Sequence, residues 1–226
     1  MFSKSAEDTT IHLESFNTTL HGCRILCQGP FPKGKSPPIM DAVQNIREPF
    51  KKRILLSNTT CNLSKYLPMN YDASFQVKDA ADWTLILTYT TYAPKPLLIV
   101  SEDIVLPQGL WQKLERTTTF INITSTSVIN LRPYDAIFFA PIEELSVPYV
   151  EYVYKALQSV YKATYSQKEH KEVLQELRIA GAGIAWCKEG QGSSMCWYDP
   201  VSYQGERLSD KQLSDLFGWL ADQFKA

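Results

Sequence analysis

From Phe50 to the last residues, short apolar runs alternate with longer amphipathic segments, and that rhythm leaves few folds open. A strand buried on both faces needs only a short run, and the return to a parallel neighbour needs a crossover of about a dozen residues, usually a helix. Residues 54–56, 96–100, 120–124 and 136–139 supply the runs. The segments between them supply the crossovers, so the pattern predicts an α/β fold on a mostly parallel sheet flanked by helices. One crossover is ambiguous by residue type. Residues 82–92 are rich in the Thr, Tyr and branched side chains that favour a strand, and only the crossover argument makes them a helix. A strand there would instead give an antiparallel neighbour through Pro94-Lys95-Pro96.

The later elements are set by local signals. Pro107 fits the first position of a helix, with Leu110, Trp111 and Leu114 on one face. A long helix starts at Pro148 with Tyr149, Val153, Ala156, Leu157 and Val160 on a common face, and the polar run 166–171 separates it from a second helix carrying Val173, Leu174 and Leu177. Residues 179–187 and 195–198 flank a Gly-rich turn and predict an antiparallel hairpin. Ser209 with Gln212 forms a capping box, Leu208 with Leu213 a hydrophobic staple, and Leu213, Leu216, Phe217, Leu220 and Phe224 line a terminal helix. Tyr149, Tyr152, Tyr154, Tyr161 and Tyr165 surround the long helix on more than one face, which implies deep burial or a protein contact.

The front of the chain reads differently. Residues 29–38 are a Pro/Gly/Lys stretch that forbids a helix or a central strand, so residues 1–49 are expected to form an extended N-terminal arm or linker with a possible short strand within 18–28, and residues 50–226 the α/β domain. The front is also mildly basic: residues 1–66 hold nine Lys/Arg against five Asp/Glu, a balance of +4, which leaves −5 for the rest of a chain of formal net charge −1. Lys33, Lys35, Lys51, Lys52 and Arg53 are candidate phosphate partners for a nucleic acid. The net charge argues against a dedicated binder, and lysines at a strand edge also serve to discourage edge pairing.

Composition narrows the classes further. With 226 residues, 44% of them hydrophobic, the chain can build its own core. No run approaches the ~20 apolar residues of a membrane span, and the first residues carry no apolar stretch of a secretory signal, so an intracellular protein, cytoplasmic or nuclear, is expected. Five cysteines make an odd count, and Cys23 and Cys27 are four apart rather than in a C-x-x-C pair, which suits core thiols better than a metal site. Asn17, Asn58, Asn62 and Asn122 begin N-x-Ser/Thr triplets, which are silent in an intracellular chain.

Catalytic signatures are sparse. Residues 57–65 follow the first run without a single glycine, which excludes a phosphate-cradling loop there. Three histidines (His12, His21, His170) leave little for a metal cluster or a Ser-His-Asp triad. Gly181-Ala182-Gly183 resembles half a dinucleotide fingerprint but falls within an expected strand, where close packing explains it better.

The order of strands 54–56, 96–100, 120–124 and 136–139, closing with the hairpin, resembles a Rossmann-like methyltransferase fold over residues 50–226. The resemblance implies S-adenosylmethionine as cofactor, its ribose held by Glu102 or Asp103 at the end of the second strand. It also implies a Gly-rich first loop, and this chain has Ser57-Asn58-Thr59-Thr60-Cys61-Asn62 in its place. Ala140-Pro141 likewise lacks the Asn or Asp that amino-methylating members carry there. The expectation is therefore a non-catalytic structural subunit on a degenerate Rossmann-like domain, docking into a larger protein assembly through its arm and aromatic surfaces, without a cofactor. The alternatives are a divergent S-adenosylmethionine-dependent methyltransferase and a nucleotide- or nucleic-acid-binding module. The enzyme requires an open cleft at the carboxyl ends of the strands with Glu102 or Asp103 facing it. The subunit requires that cleft to be filled, with the segment before Phe50 lying far from the domain.

Overall fold

The computed structural model describes residues 10–12, 20–29, 31, 37–44, 49–58, 70–140, 147–161, 183–189, 192–198 and 204–222. In chain order its elements are β1 (Thr10–His12), β2 (Arg24–Gln28), α1 (Pro38–Gln44), β3 (Lys52–Ser57), β4 (Ala73–Gln76), α2 (Ala80–Tyr92), β5 (Leu97–Glu102), α3 (Leu110–Lys113), β6 (Thr118–Thr124), β7 (Ala136–Phe139), α4 (Val147–Tyr161), β8 (Gly183–Glu189), β9 (Gly192–Tyr198), β10 (Gln204–Arg207) and α5 (Asp210–Asp222). The strands make one ten-stranded sheet in the order β1-β10-β9-β8-β7-β2-β6-β5-β3-β4. From β4 to β7 every neighbour is parallel, and from β7 to β1 every neighbour is antiparallel. The fold is thus the expected Rossmann-like α/β type with its antiparallel hairpin, β8 and β9.

Strand alternation divides the core between two faces. On one face, Ile54, Leu56, Ile99 and Phe120 lie beneath α2 and α3, and Leu26, Ile137, Phe139 and Ile184 beneath α4 and α5. On the other face, Ile25, Cys27, Val100, Ile121 and Phe138 pack with Ile39, Met40 and Val43 of α1 and with Phe50. Residues 82–92 are helical as the crossover argument required. The helix α2 starts on an Asp79 cap, whose carboxylate accepts the Ala81 and Asp82 amides while Asp82 reaches back to the Asp79 amide. At the other end of the chain the Ser209–Gln212 box opens α5 as expected. The helix after Pro107 is shorter than its pattern implied: α3 begins at Leu110, behind a left-handed Gly109 with φ of 80°, and Pro107 lies in the preceding turn.

The main correction concerns the front of the chain. Phe50 is not a boundary between an arm and a domain. β2 is inserted between β6 and β7, hydrogen-bonded to both, and β1 supplies the far edge of the same sheet. β2 ends at Gln28, one residue before the Pro/Gly/Lys stretch; residues 30 and 32–36 of that stretch lie outside the described residues, and its last residue, Pro38, opens α1. The polar ends of β2 hid its place in the core. Arg24 is buried because its guanidinium stacks 5.0 Å from the Trp111 ring centroid and donates to the Trp111 carbonyl at 2.9 Å, and the amide of Gln28 donates to the Thr124 carbonyl at 3.2 Å. Inserting β2 also alters the resemblance. The classic doubly wound order puts its first strand at the centre beside the fourth, whereas here the 54–56 strand is next to the β4 edge and β2 holds the central place. No helix among the described residues is long and apolar enough to cross a membrane.

Candidate functional site

Open α/β sheets bind ligands outside the carboxyl ends of their strands, where the connections leaving two neighbouring strands diverge. Two neighbouring pairs meet that condition. β2 leads toward β3 on one side while β7 leads to β8 on the other, and β3 leads outward to β4 while β5 leads inward to β6.

The first divergence, between β2 and β7, is filled from above by two tyrosines of α4. The Tyr149 hydroxyl donates to the Gln28 carbonyl at 2.8 Å and accepts the Ala140 amide at 3.1 Å. That amide is shared with the Gln28 carbonyl itself at 2.9 Å, and the Gly29 amide bonds the Thr124 carbonyl at 3.0 Å. Gly29 has φ of 115°, and a Cβ built on it would lie 2.2 Å from the Tyr149 oxygen. The absent side chain is therefore the space the tyrosine occupies, and only glycine adopts this backbone without strain. Tyr152 completes the seal: its hydroxyl accepts the Val128 amide at 3.1 Å and faces Gln28 Oε1 at 3.2 Å. On the opposite face Tyr198 donates to the Phe139 carbonyl, with its ring where a Cβ on Gly183 would stand, 2.1 Å from Cζ. Gly183 is a packing glycine, as its position in a strand implied; Gly181 and Ala182 lie outside the described residues.

Burial, opposed in part by the hydrogen bond from the Val128 amide, pushes the Tyr152 phenol up to about 12. Burial raises Tyr149 as well. An exposed phenol titrates near 10, so the folded chain keeps the Tyr152 proton through a range in which the unfolded chain has lost its own. Stability from this group is complete below about pH 10 and is lost as pH rises from there toward about 12, by roughly 1.4 kcal/mol per unit. Urea midpoints measured at pH 8, 10.5 and 11.5 should fall with pH, and less steeply in Tyr152→Phe. An equal slope in the variant would contradict the assignment.

The second divergence, between β3 and β5, holds the residues singled out for the cofactor. Glu102 ends β5 in register with Ser57 of β3 and is buried, with only 8% of its surface exposed. Strand alternation points it toward the α1 face, away from Ser101. Asp103 is exposed and left-handed, with φ of 47°, and its carboxylate accepts the Ser125 amide at 3.1 Å and the Ser125 hydroxyl at 3.3 Å. It ties the end of β5 to the turn after β6. Residues 59–69, which follow β3, lie outside the described residues.

Of the candidate phosphate partners, Lys51, Lys52 and Arg53 sit at the opposite, amino end of β3. Lys33 and Lys35 lie outside the described residues. Lys51 is exposed, Lys52 pairs with Asp72 at 3.4 Å, and the Arg53 amide donates to the same carboxylate at 2.8 Å. That amide bond, with help from the Lys52 and Arg53 charges, holds the Asp72 carboxyl below its usual range, so a carboxylate stands within the basic cluster.

Sequence reasoning missed the polar layer beneath the seal. Ser101 donates to Asn122 Oδ1 at 2.9 Å, and Asn122 Nδ2 donates to the Tyr134 hydroxyl at 3.1 Å. Asn122 is 1% exposed, so this glycosylation triplet is closed to modification in the folded chain. Cys23 immediately precedes β2 and Cys27 lies near its other end, and burial, aided at Cys23 by Asp135, raises both thiols, Cys23 to about 11. Neither is a ready thiolate near neutral pH.

No protein-family model matches the chain, and no curated protein matches it. The functional reading therefore rests on the geometry of the two divergences.

Proposed function

We propose that this chain is a non-catalytic structural subunit that docks with other protein chains. The observation that carries the proposal is the tyrosine seal at β2 and β7: Tyr149 and Tyr152 satisfy the backbone groups that a ligand would otherwise meet at the centre of the sheet. The proposal needs a different surface from the one the sequence suggested. Tyr149, Tyr152 and Tyr154 are used inside the molecule, the last against Phe217 with ring centroids 6.1 Å apart, and β1, β2 and α1 are part of the domain. Large apolar side chains left outside among the described residues are Leu85, Tyr92, Val105 and Ile129, and exposed apolar groups of this kind favour protein contacts when they cluster.

The methyltransferase-like reading keeps one observation, the buried Glu102 beside Ser57 at the second divergence. Thermal unfolding of the purified chain separates the two. A ligand that binds only the native state raises its midpoint, so millimolar S-adenosylmethionine, S-adenosylhomocysteine and ATP should each leave the midpoint unchanged. A rise of several degrees with the first two, abolished in Glu102→Gln, would overturn the proposal in favour of the enzyme.

A further inference from the structure

Helix α2 and strand β4 close one end of the sheet, and α2 carries no charged residue beyond its first turn. Trp83, Ile86 and Thr90 turn toward the sheet and are buried. Asp82, Leu85, Tyr89 and Tyr92 follow one another at steps of three, four and three residues, the seam spacing by which one helix packs lengthwise on another. Tyr89 meets Phe75 of β4 edge-on at 5.3 Å, so this seam overhangs the sheet edge. Leu85 is 60% exposed and Tyr92 84%. Thr84, Thr88 and Thr91 return their hydroxyl protons to the carbonyls of Ala80, Thr84 and Leu87, which spends the donors of the neighbouring face on the helix itself. No charged residue occurs between Asp82 and Lys95.

β4 pairs with β3 alone among the described residues, and its sequence ASFQ contains neither the lysine nor the proline that normally protects an edge. We infer that a second copy of this chain docks here, β4 against β4 in antiparallel pairing about a two-fold axis normal to the sheet, with the two α2 helices antiparallel on the same face. A two-fold interface must be complementary to itself, and antiparallel helices meet that condition here because Leu85, Tyr89 and Tyr92 carry no charge and Asp82 lies at the outer end of the seam, away from its own copy. The antiparallel arrangement also brings Asp79 and Asp82 at the start of one α2 toward the carboxyl end of the other, where Lys95, which donates to the Thr90 carbonyl at 2.7 Å and pairs with Glu115 at 3.6 Å, stands as the nearest cation. Thirteen helical residues span about 20 Å, too little alone for the ~800 Å² per partner of a stable interface, and the strand edge supplies the rest.

The inference deepens the docking reading by naming one partner, and it rests on that reading in this respect. The two fail separately: a ligand-induced thermal shift overturns the docking reading and leaves the mass unchanged, whereas a monomeric chain overturns only the dimer. Sedimentation equilibrium of the full chain over about 1–100 μM, where interfaces of ordinary size dissociate, should give a mass that rises with concentration toward twice the 25.7 kDa of one chain. Leu85→Glu with Tyr92→Glu, and separately Ser74→Lys on the edge strand, should each weaken the dimer at least tenfold while far-UV circular dichroism stays unchanged. A wild-type chain that is monomeric throughout, one that grows beyond the dimer, or a dimer indifferent to the Ser74→Lys change would overturn the inference.

Discussion

A chain that begins at Phe50 is expected not to fold. The truncation removes β2, whose five residues are all buried, and leaves β6 and β7 facing a gap where each had a hydrogen-bonded neighbour. It also removes Ile39, Met40 and Val43 of α1, each with no exposed surface. At about 1.5–3 kcal/mol for each fully buried large apolar side chain, the loss of Ile25, Leu26, Ile39, Met40 and Val43 alone is roughly 10 kcal/mol, comparable to the whole net stability of an ordinary domain. Far-UV circular dichroism and heating of residues 50–226 should show no cooperative transition. A transition within a few degrees of the full chain would restore the division at Phe50 and remove β2 from the centre of the account.

The second large effect is expected at Gly29. An alanine there must adopt φ of 115° and place its Cβ 2.2 Å from the Tyr149 hydroxyl and 2.9 Å from the Ala140 Cβ. Backbone strain of about 1–3 kcal/mol and overpacking of similar size combine to a loss of about 3–5 kcal/mol, which lowers the unfolding midpoint by roughly 10 °C in a chain of this length. The cause is specific enough to be checked by a double-mutant cycle. Removing the ring with Tyr149→Ser relieves the clash, so the double variant should be more stable than the sum of the single losses implies, by about 1 kcal/mol or more. Additive losses would mean that Tyr149 does not occupy this space.

How much of this was legible in the sequence depends on what each residue reports. The strands β3, β5, β6 and β7 were readable because their apolar runs are buried on both faces, and α5 because its cap is spelled out in four residues. Helix α2 was readable only through topology, since its threonines and aromatics favour a strand in isolation. β2 was underestimated for a physical reason: Arg24 and Gln28 look like surface residues until Trp111, Thr124 and Tyr152 supply their partners from more than 80 positions away. The site was legible in part. Glu102 and Asp103 stand at the end of a strand, as expected, but Asp103 is engaged by Ser125 and the central crevice lies elsewhere. The tyrosines of α4 stand out in the sequence as an unusual set, and the signal of their role is Gly29, a glycine placed directly after a strand where a side chain must be missing.

The most direct test of the account is the hydrogen exchange of the Gly29 and Ala140 amides in the full chain, followed by NMR near neutral pH. Both groups lie at the carboxyl ends of central strands, and Tyr149 covers them. They should exchange only as slowly as the amides of β2 and β6, through global unfolding. Exchange within minutes, as at an exposed loop, would show a crevice that opens to solvent and would contradict the sealed sheet on which the proposed function stands.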